Sequence, residues 1–420
     1  MHLLKHELKM MIKSRKNLLF LLFLAALLFS YCFILLPNQE TSESFHPEAV
    51  EQDLQQRTAQ QQDREELGAT GILLQTGQAV YATNASYIDL QTNMLTAFEA
   101  GNYERYLRLR THFLIGHAGS FVPVETVDAN SPFPGKDINH QYYQTLLRNQ
   151  GYLELDAPVT YPMIEQKTGL QTLEYFFLSV VAYLIVFSAI YFSCDVLVRD
   201  RNNRSVLQGL PLSWYQLLNT KSLAAFLYTC LILVGLLAVA LLSVSIMYGF
   251  GSFNMQVPVS LVQETFTLED YGTISLGRFL LLAASFIPII VFLFIRLNMI
   301  FSLVLKNTWV VLGAGTLVLF SELLYFNRRE RELFGVDLSF FPQTYFDFGK
   351  VVTGEKNYLV NLNSITYEKG LIVLLVSIVV VELSLFAVSR FVNRRRFYGR
   401  STGWKRFTSK REGKRIARAG

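Results

Sequence analysis

Charge is scarce in this chain. Asp, Glu, Lys and Arg supply 17% of its 420 residues, against roughly 25% in soluble domains. A chain this long would ordinarily hold two or three soluble domains, but 51% of it is hydrophobic, with 33 Phe. That balance excludes the soluble reading. Cysteine is scarce too: Cys32, Cys194 and Cys230 all lie in or beside apolar runs, where the thiol behaves as a small hydrophobe. With six His and no His-Glu-x-x-His pair, a zinc enzyme lacks its ligands; His2 and His6 read as interfacial residues. No Gly-x-Ser-x-Gly elbow is present, and no aspartate pair falls within an apolar run. Gly135-Lys136 and Gly349-Lys350 lack the earlier Gly and the following Ser or Thr of a P-loop. The chain therefore carries no cofactor of its own, and any ATP-driven work needs an ATPase on another chain.

What is present is a set of long apolar runs. A bilayer core of about 30 Å takes roughly 20 apolar residues as a helix. Residues 18–36, 173–194 and 223–250 qualify. The stretch 274–326 is about two spans long and carries Arg278, Arg296, Lys306 and Glu322, so it folds back, at Lys306-Asn307, into spans 274–305 and 308–326. Residues 370–389 make the sixth. The predicted fold is an all-α polytopic membrane protein with six transmembrane helices.

An even number of spans puts both termini on one side. Lys5, Lys9, Lys13, Arg15 and Lys16 precede the first span, and the tail 390–420 holds twelve basic residues against Glu412. The positive-inside rule places both in the cytoplasm of a cell-membrane protein. Residues 195–222, with Arg199, Arg201, Arg204 and Lys221, join them. Residues 251–273 hold three acids and no Lys or Arg, which fits the outside. The external loop 327–369 balances six basic residues with six acids; turning it inward would expel the far more basic tail. The mild overall charge of +5 thus conceals a strong polarity across the membrane. The tail, with Arg394-Arg395-Arg396 and Lys414-Arg415, reads as a grip on anionic lipid head groups, with no nucleic acid as partner.

Residues 37–172 form a polar external domain with 8 basic and 17 acidic residues, too long for a connector. Helices are expected over 48–67 and 99–113, with a short one at 141–149, and Phe133-Pro134-Gly135 reads as a turn. Asn84-Ala85-Ser86 matches a glycosylation sequon. The absence of Cys here fits a bacterial surface without a disulfide-forming periplasm. The acidity either keeps a tethered domain soluble or attracts a cationic peptide.

The most informative segment follows the second span. Charged residues run to Arg204, then Val206, Leu207 and Leu210 make a short apolar-periodic helix. A second helix is expected to begin at Pro211, a favourable first-turn position, and to lead through Lys221 into the third span. Leu210-Pro211-Leu212-Ser213 followed by Lys221 resembles the permease subunits of type-2 ABC exporters, the Gram-positive kind with a large external insertion after the first span. Family members often carry Glu-x-x-x-Gly-Thr before the helix, where this chain has Arg201-Asn202-Asn203-Arg204-Ser205. The resemblance implies a coupling helix seated on an ABC ATP-binding subunit, with Arg201, Arg204, Val206, Leu207, Leu210 and Pro211 as contacts. It also implies a second permease copy or paralogue. The N-terminal segment 1–17 fits the pattern as an amphipathic interfacial helix, with Leu4, Leu8, Met11 and Ile12 on one face. So does 334–348, whose Phe340, Phe341, Tyr345, Phe346 and Phe348 suit interfacial helices.

Ionisable groups inside spans are costly and suggest function. Arg296 lies 18 residues beyond Arg278, roughly 27 Å of helix, and Glu382 stands some 12 residues into the last span, on a similar level. An Arg296–Glu382 pair between helices is expected, while Glu322, near the outer end, is expected to be wet. Two functions compete: an ATP-driven permease exporting a peptide, antibiotic-like or lipid cargo, and a membrane-anchored sensor or immunity protein whose acidic external domain binds a ligand.

Overall fold

The computed structural model describes residues 2–41, 43–72, 79–116, 131–202, 213–262, 264–265, 267–392 and 397. Arg204, Val206, Leu207, Leu210 and Pro211 lie outside them, as does nearly all of the basic tail.

Among the described residues, five helices are long and apolar enough to cross a membrane: Arg15–Asn38, Val181–Arg201, Trp214–Tyr248, Leu276–Val304 and Tyr367–Phe391. Leu276–Val304 is the centre of the bundle. It packs on Tyr367–Phe391, Val181–Ser193, Trp214–Tyr248 and Thr308–Leu319, burying Phe279, Ala283, Phe286, Ile290 and Phe294. The turn after it falls at residues 305–307, where the Asn307 side chain accepts from the Trp309 amide at 2.9 Å. Thr308–Leu319 has 12 residues, about 18 Å of helix, and a 3₁₀ turn, Ser321–Leu324, continues it.

The run 173–194 is two helices, Gly169–Leu178 and Val181–Ser193. Ser179 between them is extended, with φ −103° and ψ −177°. Its hydroxyl donates to the Phe176 carbonyl and accepts from the Val181 amide, each at 3.4 Å, a local pairing that competes with the helix ladder. The third helix is longer than expected. Trp214–Tyr248 runs 35 residues from a capping box in which Ser213 and Gln216 bond each other's backbone. Ser213 is its cap, and the expected start at Pro211 lies outside the described residues; a hydroxyl at the N-cap with Gln three residues on satisfies two otherwise unpaired amides.

Outside the bundle, Pro47–Glu66, Val80–Glu99, Tyr103–Gly116 and Pro134–Leu153 form a helical layer. Val80–Glu99 is a helix beyond those the sequence pattern predicts. Phe133-Pro134-Gly135 is a helix start, not a turn, because Pro at the first position loses no needed hydrogen bond. The Asn84 amide of the sequon is committed to packing, donating to Gln61 Oε1 at 2.8 Å. Glu43 and Arg110, both buried, pair at 2.9 Å inside this layer.

The all-α expectation needs one correction. Residues 251–273 contain strand β1 (Gln256–Ser260), which pairs antiparallel with β2 (Tyr271–Ser275); alternating Val257 and Val259 suit a half-buried pleat and are buried. A two-residue ladder, Glu332–Leu333 with Val336–Asp337, adds a second sheet. The mostly helical reading stands.

The aromatic segment 334–348 departs from expectation in part: Phe340 stays exposed and Phe341 half-buried. Tyr345, Phe346 and Phe348 are buried, Phe346 against Phe294 and Phe348 against Phe177 and Phe286. Short turns lead from this segment into the helices Phe348–Val352 and Glu355–Val360, the first of which packs on Gly169–Leu178 and Leu276–Val304. Gly349 permits the approach: a Cβ there would stand 2.1 Å from the Phe177 carbonyl oxygen. Lys356 follows it in and pairs with Glu322 at 2.8 Å. Glu322 is therefore buried rather than wet, because its counter-ion arrives from a loop more than 30 residues away.

Candidate functional site

The sequence places chemistry around the segment 203–212, and both of its flanks are held by ions. On the near flank is the short helix Val196–Asn202, on the far flank the foot of Trp214–Tyr248. Lys221, fully buried, donates to Glu7 Oε1 at 2.6 Å and reaches Asp200 Oδ2 at 2.7 Å. Arg199 lies 3.4 Å from the other Glu7 oxygen. Two cations thus meet two carboxylates, which offsets the desolvation that a lone buried ammonium would suffer.

Glu7 comes from the helix His2–Ile12, which packs along Trp214–Tyr248. Its inward face is Leu4, Glu7, Leu8 and Met11, while Ile12 points out. Amphipathicity places Met11 correctly and Ile12 incorrectly, because the helix docks on protein and turns Glu7 toward Lys221. Just beyond, Lys16 Nζ donates to the Tyr191 carbonyl at 2.8 Å and sits 3.4 Å from Asp195.

The opposite side of the same helix foot carries the second cluster. Arg296 forms a doubly bonded pair with Glu382, and the guanidinium also donates to Ser222 Oγ and Asn219 Oδ1, each at 2.9 Å. Tyr215 donates to Glu382 at 3.0 Å. The planar fork of Arg suits this two-pronged contact. Adjacent residues Lys221 and Ser222 therefore tie one helix to the N-terminal helix on one side and to the Leu276–Val304 and Tyr367–Phe391 helices on the other.

The structure thus brings Arg296 and Glu382 together and puts Arg201 elsewhere. The Arg201 guanidinium donates to the carbonyls of Leu303 and Leu305 at 3.1 and 3.2 Å, satisfying the exposed end of the Leu276–Val304 helix, and stacks over Phe397 at 4.3 Å. Sequence reasoning missed Glu7, Asp200, Asn219 and Ser222 as members of a site. One signal was legible for Glu7, the sole acid among residues 1–17.

A second ionic layer joins the helical layer outside the bundle to residues 327–369. Asp137 pairs with Arg328 at 2.7 Å and accepts from Tyr358. His140 sits between Tyr271 and Glu355, at 2.8 and 2.7 Å, with its ring stacked on Tyr358. Burial pushes the Asp137 and Glu355 carboxyls up, but their partners prevail: Arg328, Ser131 and Tyr358 hold Asp137 below the ordinary carboxylate range, and His140, Lys350 and Gln144 do the same for Glu355.

Long apolar helices and ion pairs buried between them define a multi-pass membrane protein. Residues 1–327 match the family model described as ABC-2 family transporter protein, and the chain belongs to that family. No curated protein and no solved structure matches it. It is a membrane permease subunit of an ABC transporter, a transport subunit and not a catalytic one, whose family partners with an ABC ATP-binding subunit.

Proposed function

We propose that this permease exports a peptide, antibiotic-like or lipid cargo, as a dimer of six-span units with both termini in the cytoplasm. A separate ATPase drives it through the segment containing Val206, Leu207, Leu210 and Pro211. The observation that carries this reading is Lys221 ion-paired with both Glu7 and Asp200. Asp200 lies just before the segment, and Lys221 a little over two turns into the helix after it. A push from closing ATPase domains on residues 203–212 then moves the helix foot and the N-terminal helix as one body. Arg296 passes that movement to the centre and to the last helix. The external domain and its ionic layer would stand at the exit.

The experiment is co-purification of the ATPase with Leu207→Asp plus Leu210→Asp. Loss of the complex supports the coupling assignment, and undiminished complex formation overturns it. Cargo-stimulated ATP hydrolysis by the purified complex then names the substrate class.

A further inference from the structure

Two cavities meet at Tyr31. One is polar, about 310 Å³, and lies between the first-span helix, Pro134–Leu153 and Gly169–Leu178; Gln39, Arg148, Glu165, Lys167, Thr172 and Glu174 are in its wall. The other is an apolar groove of about 130 Å³ between the first, second and third apolar helices, lined by Leu24, Leu28, Phe176, Leu184, Leu233 and Leu237. Tyr31 borders both. Its ring packs edge-on against Phe176 at 5.0 Å and parallel to Tyr175 at 6.2 Å.

The polar cavity is incompletely satisfied. Arg148 and Glu174 face each other at 4.0 Å, too far for a hydrogen bond, and neither makes one with any described residue. The Thr172 hydroxyl is buried without a partner among the described residues. Sheltered charges and hydroxyls left in this way cost free energy unless something else engages them. The backbone is irregular on both sides of the junction. Tyr31–Leu35 is a π-helical turn, a form concentrated at functional sites, and the break at Ser179 lies opposite.

We infer that the two cavities together bind a phospholipid of the surrounding bilayer with a zwitterionic head, its phosphate on Arg148, its ammonium on Glu174, and one acyl chain in the groove below Tyr31. The paired charges in the head cavity favour a head of both signs over a purely anionic one, since Glu165 and Glu174 oppose Arg148 and Lys167. The groove is open to lipid along Leu27, which is exposed, so the chain enters sideways. This site does not depend on transport, and its test needs neither ATP nor the ATPase.

The full chain is placed in nanodiscs with a photoactivatable phosphatidylethanolamine, and the labelled residues are mapped. The expected label falls on the groove. Unlabelled phosphatidylethanolamine removes it, and phosphatidylglycerol at the same level does not. Arg148→Gln with Glu174→Gln, and separately Leu237→Trp, lower it about tenfold, the loss of one good contact. Equal competition by phosphatidylglycerol means an ordinary lipid annulus and overturns the proposal, as does labelling that both variants leave unchanged. The competition arm uses the unaltered chain, so a variant that fails to fold leaves the test intact.

Discussion

Lys221 holds Glu7 at 2.6 Å across 214 positions of sequence, with no exposure to solvent. The contact makes the N-terminal helix part of the bundle and fastens it to the helix that emerges from the segment 203–212. Glu7 and Asp200 share one ammonium, and Arg199 supports only the other Glu7 oxygen, so the two carboxylates depend on Lys221 together.

Removing Lys221 alone should therefore be worse than removing all three charges. Lys221→Met leaves the buried Asp200 carboxylate without its ammonium and Glu7 with Arg199 alone, and is expected to cost about 3–5 kcal/mol. Adding Glu7→Gln and Asp200→Asn should restore most of that. Thermal melting of the purified chain in detergent measures both. A triple variant no more stable than Lys221→Met would show that the charges do not act as a unit.

Arg296 and Glu382 allow a charge exchange. Each single reversal, Arg296→Glu or Glu382→Arg, sets like charges against each other and should depress expression. The double reversal should recover much of it. Recovery should be incomplete, since Asn219 Oδ1 and Ser222 also accept from Arg296. Membrane-fraction blots decide, and a double variant as poor as the singles would count against pairing.

Gly354 sits at φ +71°, and a Cβ there would lie 2.0 Å from the Ser260 carbonyl oxygen. Gly354→Ala should lose about 1–3 kcal/mol through left-handed strain, with the clash adding to it. Gly101, at φ +67° with open space around it, is the control: Gly101→Ala feels the strain alone. Equal melting temperatures for the two variants would mean that the hairpin and the 327–369 loop do not touch as described.

The ionic layer outside the bundle should loosen in acid. Asp137 and Glu355 are held below their unfolded values, so the stability they contribute is fully present above the ordinary carboxylate range. It is lost progressively as pH falls below about 5. Hydrogen-exchange protection over Pro134–Leu153, taken relative to the intrinsic rate at each pH, should fall in that window, and Asp137→Asn should flatten the response. Protection unchanged down to pH 3 would remove this layer as the docking contact.

The apolar runs, the charge asymmetry and the isolation of Arg296 and Glu382 inside such runs were legible in the sequence, because desolvation acts on each residue wherever its partner lies. A charge in an apolar helix needs a counter-charge, and few were available at the right depth. What tertiary structure decided is which distant groups meet. Glu322 is dry because Lys356 folds back onto it, and Tyr345, Phe346 and Phe348 fill the bundle and not the interface because Gly349 lets their segment touch Phe177. Glu7 belongs to a site because the first helix docks with one face inward. Periodicity fixes a helix and its apolar stripe. It says nothing of the neighbour against which that stripe closes, and so nothing of the ion pair that the closure makes.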